Sequence, residues 1–140
     1  MPPPPIRYDG HSVDLSGRFF NTTTVTGSPA AAAETIIATL TIGESVAVQK
    51  AVYLSFVCAF TVGTNGVSTR LRLKQTDTSG TTLYDSGLVT ATAANLVSMS
   101  ALGVDTAATL PGQVYVATLI VGSGSAVSTV SAVNLIGVVV

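Results

Sequence analysis

The sequence predicts an all-β fold, a single jelly-roll-like antiparallel sandwich or barrel that carries an extended N-terminal arm. Apolar and polar residues alternate with a period of two through most of the chain after residue 30, and β-branched and aromatic residues are common in these runs. Turn-forming pairs such as Asn-Gly, Ser-Gly and Pro-Gly separate the runs. We count about eight strands at intervals of roughly 8–14 residues, a spacing typical of sandwiches, jelly rolls and Greek-key barrels.

Residues 1–29 predict an arm, and residues 30–140 predict the β domain that follows it. The arm contains five of the six prolines and shows no sustained alternation. Pro2 to Pro5 are expected to form a stiff polyproline II segment, and proline has no N–H with which to join a sheet interior. We therefore expect the arm to lie along another chain or a second copy. The alternatives are an arm that packs on its own chain and a frayed tail. The expected anchors of the arm are its large side chains Ile6, Tyr8, Phe19 and Phe20.

The first two runs of the β domain, residues 35–42 and 51–62, each predict a strand with one apolar face. Alternation at period two places every second residue of a strand on the same face. In the first run this face is expected to hold Ile36, Ala38, Leu40 and Ile42, and in the second Val52, Leu54, Phe56, Cys58 and Phe60.

Residues 67–75 predict the next strand, after a turn that contains Asn65-Gly66. Its apolar residues alternate with Arg70, Arg72 and Lys74, so three of the 6 basic residues of the chain share one face. One interpretation is an electrostatic dock onto the acidic surface of a partner. The other is an ordinary solvated strand face.

Shorter strands are expected over residues 81–85, 87–92 and 95–102, and two longer ones over 113–121 and 127–140. The run 113–121 is apolar on both faces, whereas an antiparallel sheet of a monomer usually exposes one polar face. We therefore expect one face to pack across a subunit boundary. The alternative is a thick core, or a barrel covered by other segments. The candidate interface residues are Tyr115, Leu119 and Val121.

Charge and reactive residues exclude several classes of function. With 6 Lys and Arg against 7 Asp and Glu, the net charge is -1, and a direct nucleic-acid binder needs clustered cations. The single Cys58 is expected in the core, and the single His11 lies in the arm, away from any predicted strand. We therefore expect no enzymatic activity, no cofactor and no metal. Asp9, His11 and Asp14 have a spacing compatible with metal ligation, but such triplets are common by chance, and we favour a solvated or hydrogen-bonded arm.

The apolar composition predicts association between chains. Hydrophobic residues make up 47% of the sequence and charged residues 9%. The longest charge-free apolar run, residues 51–62, is shorter than the ~20 residues that a spanning helix needs, so no contact with a membrane is expected. The first residues contain no apolar segment of the signal-peptide type. Obligate interfaces are poor in charge, so we expect much of the surface to be covered in an oligomer.

The chain resembles the decoration, or cement, proteins of tailed-phage capsids. The resemblance lies in the proline-rich start PPPPIRY, in LRLKQTDTSGT in the middle of the β domain, and in the ending QVYVATLIVGSGSAVSTVSAVNLIGVV. It implies a homotrimer on the outer surface of the virion, made in the host cytoplasm, that bridges neighbouring major capsid subunits and stabilises the shell. The activity of such proteins is mechanical, so no catalytic residue carries over.

Other structural roles remain open. One is a phage fibre or receptor-binding jelly roll, in which the arm would join a fibre shaft. Another is the main capsid protein of a small virus, although such shells usually carry a strongly basic arm. Here Arg7 and Arg18 are offset by Asp9 and Asp14.

Overall fold

A computed structural model describes residues 18–21, 33–42, 51–61, 67–91, 96–109, 112–122 and 130–139. These stretches contain no helix, and therefore none that could cross a membrane. Their strands are β1 Arg18–Asn21, β2 Glu34–Thr41, β3 Val52–Thr61, β4 Val67–Gln75, β5 Thr82–Asp85, β6 Val89–Ala91, β7 Leu96–Asp105, β8 Val114–Val121 and β9 Ser131–Val139.

The strands form two antiparallel sheets. Sheet A has the order β1-β9-β3-β7, and sheet B has the order β2-β8-β4-β5, with β6 also paired to β4. The pairings are nested along the chain: β1 pairs with β9, β2 with β8, β3 with β7, and β4 with β5 and β6. Two sheets built from nested antiparallel pairs make a jelly roll. The fold class predicted from the sequence is confirmed.

Each strand expected within the β domain is present, with ends that differ by a few residues, and β1 is an addition. β1 pairs with β9 from Arg18 opposite Val138 to Asn21 opposite Leu135. Sheet A therefore begins inside the range that the sequence assigned to the arm, and the expected boundary after residue 29 does not coincide with the start of the sheet.

The core lies between the two sheets and follows the expected alternation of β3. The predicted inward residues of this strand are all buried, and Phe56 and Phe60 are 1% and 0% exposed. Full burial of a large apolar side chain contributes about 1.5–3 kcal/mol to stability. The inward residues of β4 are Thr69, Leu71 and Leu73, each 0% exposed, as the sequence predicted.

A β-bulge in β2 corrects one predicted face. The pairing of β2 with β8 shifts between Ile36 and Ala38, so Ile37 and Ala38 are both 0% exposed. Ile36 lies on the other face and is 39% exposed. The expectation that Ile36 shares the buried face of Ala38 is wrong, because the extra residue of a bulge reverses the alternation that precedes it.

One buried carboxylate joins the two sheets. Asp105, at the end of β7 in sheet A, is 3% exposed. It accepts hydrogen bonds from the Tyr115 hydroxyl at 2.9 Å and the Gln75 amide at 2.6 Å, both in sheet B. The backbone N–H of Ala107 donates to it at 3.0 Å. Burial, and secondarily this hydrogen bond to Asp105, raise the pKa of Tyr115 well above its ordinary value.

Candidate interaction surfaces

The outer face of sheet B carries the three basic residues that the sequence singled out. Arg70, Arg72 and Lys74 project from β4 away from the core. Register places Arg72 opposite Asp85 of β5 on one side and opposite Thr118 of β8 on the other. β4 therefore holds the cations in a row in the interior of the sheet, with Asp85 on the neighbouring strand β5 and Glu34 on β2, beyond β8.

Asp85 is shared by two arginines. Arg70 donates from Nε to Oδ1 at 2.7 Å and from Nη2 to Oδ2 at 2.6 Å, and Arg72 donates from Nε to Oδ2 at 3.0 Å. The backbone N–H of Gly87 also donates to Oδ1, at 2.8 Å. The hydrogen bond from Arg70 is the main reason that the pKa of Asp85 is held well below its ordinary value, and it raises the pKa of Arg70 in turn. Bidentate arginine–carboxylate pairing of this kind fixes geometry as well as charge.

Glu34 is the second carboxylate on this face. It accepts a hydrogen bond from the Thr118 hydroxyl at 2.6 Å. The Nη1 of Arg72 and the Nζ of Lys74 each lie 3.5 Å from its Oε2. Lys74 also donates to the carbonyl of Thr78 and is only 6% exposed. We call Glu34, Arg70, Arg72, Lys74 and Asp85 the charged cluster.

The charged cluster largely neutralises itself. Its three cations face two carboxylates, so one positive charge is in excess. Every cation of the cluster has a carboxylate of the same chain within 3.5 Å. Val116 and Thr118 beneath it are 1% and 0% exposed, as expected where long charged side chains lie across a sheet. The row is therefore not a free cationic surface, and its own carboxylates reduce its attraction for an acidic partner.

The residues expected at a subunit interface lie elsewhere. Tyr115, Leu119 and Val121 are each 0% exposed and point between the two sheets. The interface interpretation of these three residues is wrong, because they are core residues of their own chain. Both faces of β8 avoid water, and the face that points outward lies beside the charged cluster.

A large apolar surface lies instead on the outer face of sheet A. Tyr53 and Leu102 are 53% and 74% exposed. Register places Tyr53 opposite Val104 and Ser55 opposite Leu102, so the side chains form one patch across β3 and β7. We call the outward residues of β3, β7 and β9 the uncharged face: Tyr53, Ser55, Val57, Ala59, Thr61, Leu96, Ser98, Ser100, Leu102, Val104, Asn134, Ile136 and Val138.

No member of the uncharged face is an acid or a base, and Asp105 of β7 points inward. Exposed apolar patches of this kind mark interaction sites in many proteins. The sequence does contain a signal for this surface, because β3 carries Tyr53 and Val57 at the positions that alternate with its core residues.

A shallow cleft of ≈ 340 Å³ lies at the β3–β7 pairing, lined by Val57, Cys58, Ala59, Ser98, Met99 and Ser100. Burial raises the pKa of Cys58 to about 11, so its sulfur is a protonated thiol at neutral pH and a weak nucleophile. Across the described stretches, no group of three or more His, Cys, Asp or Glu residues is placed to hold a metal ion.

Several predicted residues fall outside the described part of the chain. These are the arm anchors Ile6 and Tyr8 and the spaced trio Asp9, His11 and Asp14. Phe19 and Phe20, the other two expected anchors, lie in β1 opposite Gly137 and Ile136 of the same chain.

Comparison with known proteins identifies the fold. No protein-family model matches the chain, and no curated protein matches it. A chain in the structure of infectious bursal disease virus, Gt strain, aligns with 89% of this chain at 11% identity and a TM-score of 0.62. A chain in the structure of the Gx strain aligns over the same share at 12% identity and a TM-score of 0.61. The protein spans about a third of those chains, 32% of each. The jelly roll is thus of a kind found in virus structures.

Proposed function

We propose that this chain is a structural protein of a virus particle, which decorates the outer surface of the capsid and bridges neighbouring major capsid subunits. In this proposal it acts as a homotrimer, is made in the host cytoplasm, and needs no cofactor. The observation that supports it best is the jelly roll shared with chains of two virus structures over 89% of its length. Because that likeness concerns the fold, the role itself rests on the surfaces of the molecule.

The surface chemistry favours binding over catalysis. The uncharged face offers exposed apolar side chains, and the charged cluster offers cations already paired with carboxylates. The one thiol of the chain is buried and protonated. These surfaces suit a protein whose work is mechanical contact.

A homo-oligomer that bridges capsid subunits needs one surface for the capsid and another for its own copies, and the sandwich offers two surfaces on opposite sides. The uncharged face belongs to sheet A and the charged cluster to sheet B. In the proposal, the charged cluster side and the N-terminal residues contact capsid subunits. The excess positive charge of the cluster and the guanidinium edges that Asp85 does not occupy would meet an acidic capsid surface.

The N-terminal anchors must be aided by main-chain contacts. With Phe19 and Phe20 in β1, the arm proposal rests on Ile6 and Tyr8. Burying two such side chains contributes roughly 3–6 kcal/mol, whereas ordering costs about 1–2 kcal/mol for each residue of the arm. The arm therefore needs backbone hydrogen bonds, which strand addition to the edge of a capsid sheet would provide.

Co-sedimentation with empty capsids of the parent virus tests the proposal. The full chain is expected to sediment with capsids, and a variant that lacks residues 2–17 is expected to lose most of this binding while it keeps its thermal unfolding transition. That deletion spares β1. A full chain that never sediments with capsids would refute the proposal. Undiminished binding by the shortened chain would refute the role of the arm.

Salt and host cells separate the remaining possibilities. If the charged cluster carries the docking, binding to capsids weakens as salt rises from about 0.05 to 0.5 M, whereas apolar docking does not weaken. A receptor-binding module of a fibre would instead bind host cells and would not bind capsids. Binding of labelled protein to cells measures that outcome directly.

A further inference from the structure

We infer that the uncharged face is the surface through which copies of this chain pack against one another. This inference deepens the proposed function, on which it rests for the expectation of a homo-oligomer. It differs from the interface predicted from the sequence, because β8 contributes nothing to it. The occupant to which it commits is a second copy of the same chain.

The first argument is the distribution of charge. On the outer face of sheet B, five charged side chains form the charged cluster. On the uncharged face there are none, and the serines, threonine and asparagine among its members are neutral. The face ends at β1, whose Arg18 pairs with Val138. Removing such a surface from water leaves no ion without a partner, whereas its hydroxyl and amide groups need hydrogen bonds across the contact. The central parts of protein interfaces are likewise depleted of charge.

The second argument is complementarity. A partner that brought charged residues to this surface would bury them without a counterion, at a cost of several kcal/mol for each ion. The partner must therefore be equally free of charge at the contact. A second copy meets that condition, since it carries the same neutral surface and is present wherever the chain is.

The third argument is size. β3 and β7 have 10 residues each. At about 3.3 Å per residue and about 4.8 Å per strand, the three strands β3, β7 and β9 give a footprint of roughly 450–500 Å². Two facing footprints bury roughly 900–1,000 Å², close to the ~1,000 Å² expected of a specific interface.

The fourth argument is the concentration of exposure at one place. Leu102 and Tyr53 occupy diagonal positions across the β3–β7 pair, and Val104 lies directly opposite Tyr53. Diagonal neighbours of this kind are about 7–8 Å apart and within reach of an aromatic ring. Aromatic and aliphatic side chains grouped in this way are typical of the centre of an interface. We place the centre of the contact at these three residues.

The experiment measures the native mass of the full chain in the absence of capsids, by sedimentation velocity and light scattering. The test variant is Leu102→Glu, which places a charge at the centre of the contact. The matched control is Leu88→Glu. Leu88 is 71% exposed against 74% for Leu102, but it lies between β5 and β6 on sheet B. A second test variant, Tyr53→Glu, changes the neighbouring strand.

The wild-type chain and Leu88→Glu are expected to sediment as the same oligomer. For Leu102→Glu and Tyr53→Glu we expect the dissociation constant of the oligomer to rise at least 10-fold. Thermal unfolding of the dissociated chain should remain cooperative. A monomeric wild-type chain, at concentrations up to about 100 µM, would overturn the inference, and its face would then be covered by its own chain or exposed. An oligomer that survives both test variants would overturn it as well, and so would equal dissociation of Leu88→Glu.

Failure of this inference is distinguishable from failure of the proposed function. A wild-type oligomer that depends on Leu102 but does not sediment with capsids supports the inference and refutes the decoration role. A wild-type monomer that sediments with capsids refutes the inference and supports decoration.

Discussion

The hydroxyl of Tyr115 donates a hydrogen bond to the carboxylate of Asp105 at 2.9 Å, in the interior and from one sheet to the other. Tyr115 is 0% exposed and Asp105 is 3% exposed, so water does not compete for this bond. A buried carboxylate is tolerated only when its oxygens are satisfied. The pair therefore specifies how the two sheets are aligned as well as stabilising their contact.

Replacing Tyr115 by Phe is expected to reduce the free energy of unfolding by about 1.5–3 kcal/mol, the usual cost of losing a hydrogen bond to a charged group. Asp105 would keep its bonds from Gln75 and Ala107. Urea denaturation at pH 7 measures the change. Tyr53→Phe, at a residue 53% exposed, is the matched control and should change stability little. Equal effects of the two variants would contradict the assignment.

Asp85→Asn is expected to lower stability at neutral pH by up to about 1 kcal/mol, the scale of partly exposed ion pairs. The folded pKa of Asp85 is lowered from 3.8, chiefly by Arg70. Its contribution is therefore present above pH 3.8 and is lost as pH falls through the lowered value. Melting temperatures between pH 2 and 6 should show a shallower acid decline in the variant. In a double-mutant cycle with Arg70→Gln, the double variant should lose less free energy of unfolding than the two single variants lose together.

Cys58 is expected to make the fold less stable in alkali. Burial raises its pKa from 9.0 to about 11, so between these values the unfolded chain releases the thiol proton and the folded chain retains it. The free energy of unfolding therefore falls as pH rises, by at most about 1.4 kcal/mol per pH unit. Denaturation series from pH 8 to 11 should show a smaller decline for Cys58→Ala than for wild type. If the free energy of unfolding fell equally with pH in both proteins, Cys58 would not be the cause of the alkaline decline.

Gly80→Ala is expected to destabilise the fold by about 1–3 kcal/mol, the range of steric overpacking. A Cβ at Gly80 would lie 1.7 Å from the backbone oxygen of Gln75, which cannot move without opening the turn between β4 and β5. Gly103→Ala is the control. Its Cβ would lie 3.3 Å from the Cδ1 atom of Leu73, a side chain that can adjust. Thermal unfolding of both variants measures the difference.

Regular alternation could be interpreted from the sequence, and local departures from it could not. The faces of β3 and β4 follow the residue pattern directly. In β2 the bulge reverses the role of Ile36, and nothing in the residues before Ile37 signals an extra position. The sequence does not predict β1, because four residues, RFFN, are too few to show a period. Its pairing with β9 is a long-range contact.

The surfaces depend on long-range pairing in the same way. Arg70, Arg72 and Lys74 were correctly placed on one outer face. Their partners Asp85, on the adjacent strand β5, and Glu34, on β2 beyond β8, are brought near β4 only by the topology. For β8, a strand apolar on both sides gives no indication of which side meets the other sheet, so the pattern does not distinguish an interface position from the core position that Tyr115 occupies.

The nested strand order also governs when the molecule can form. β1 is held by β9, and β2 by β8, so neither sheet can be completed by any continuous half of the chain. Pairing of remote segments costs loop-closure entropy before their contacts stabilise the chain. Folds of this kind therefore fold slowly, in milliseconds to seconds. A ribosome-bound fragment ending before β8 lacks an interior strand of both layers. Any shell built with this protein would accordingly recruit finished subunits, and synthesis and assembly would be successive events.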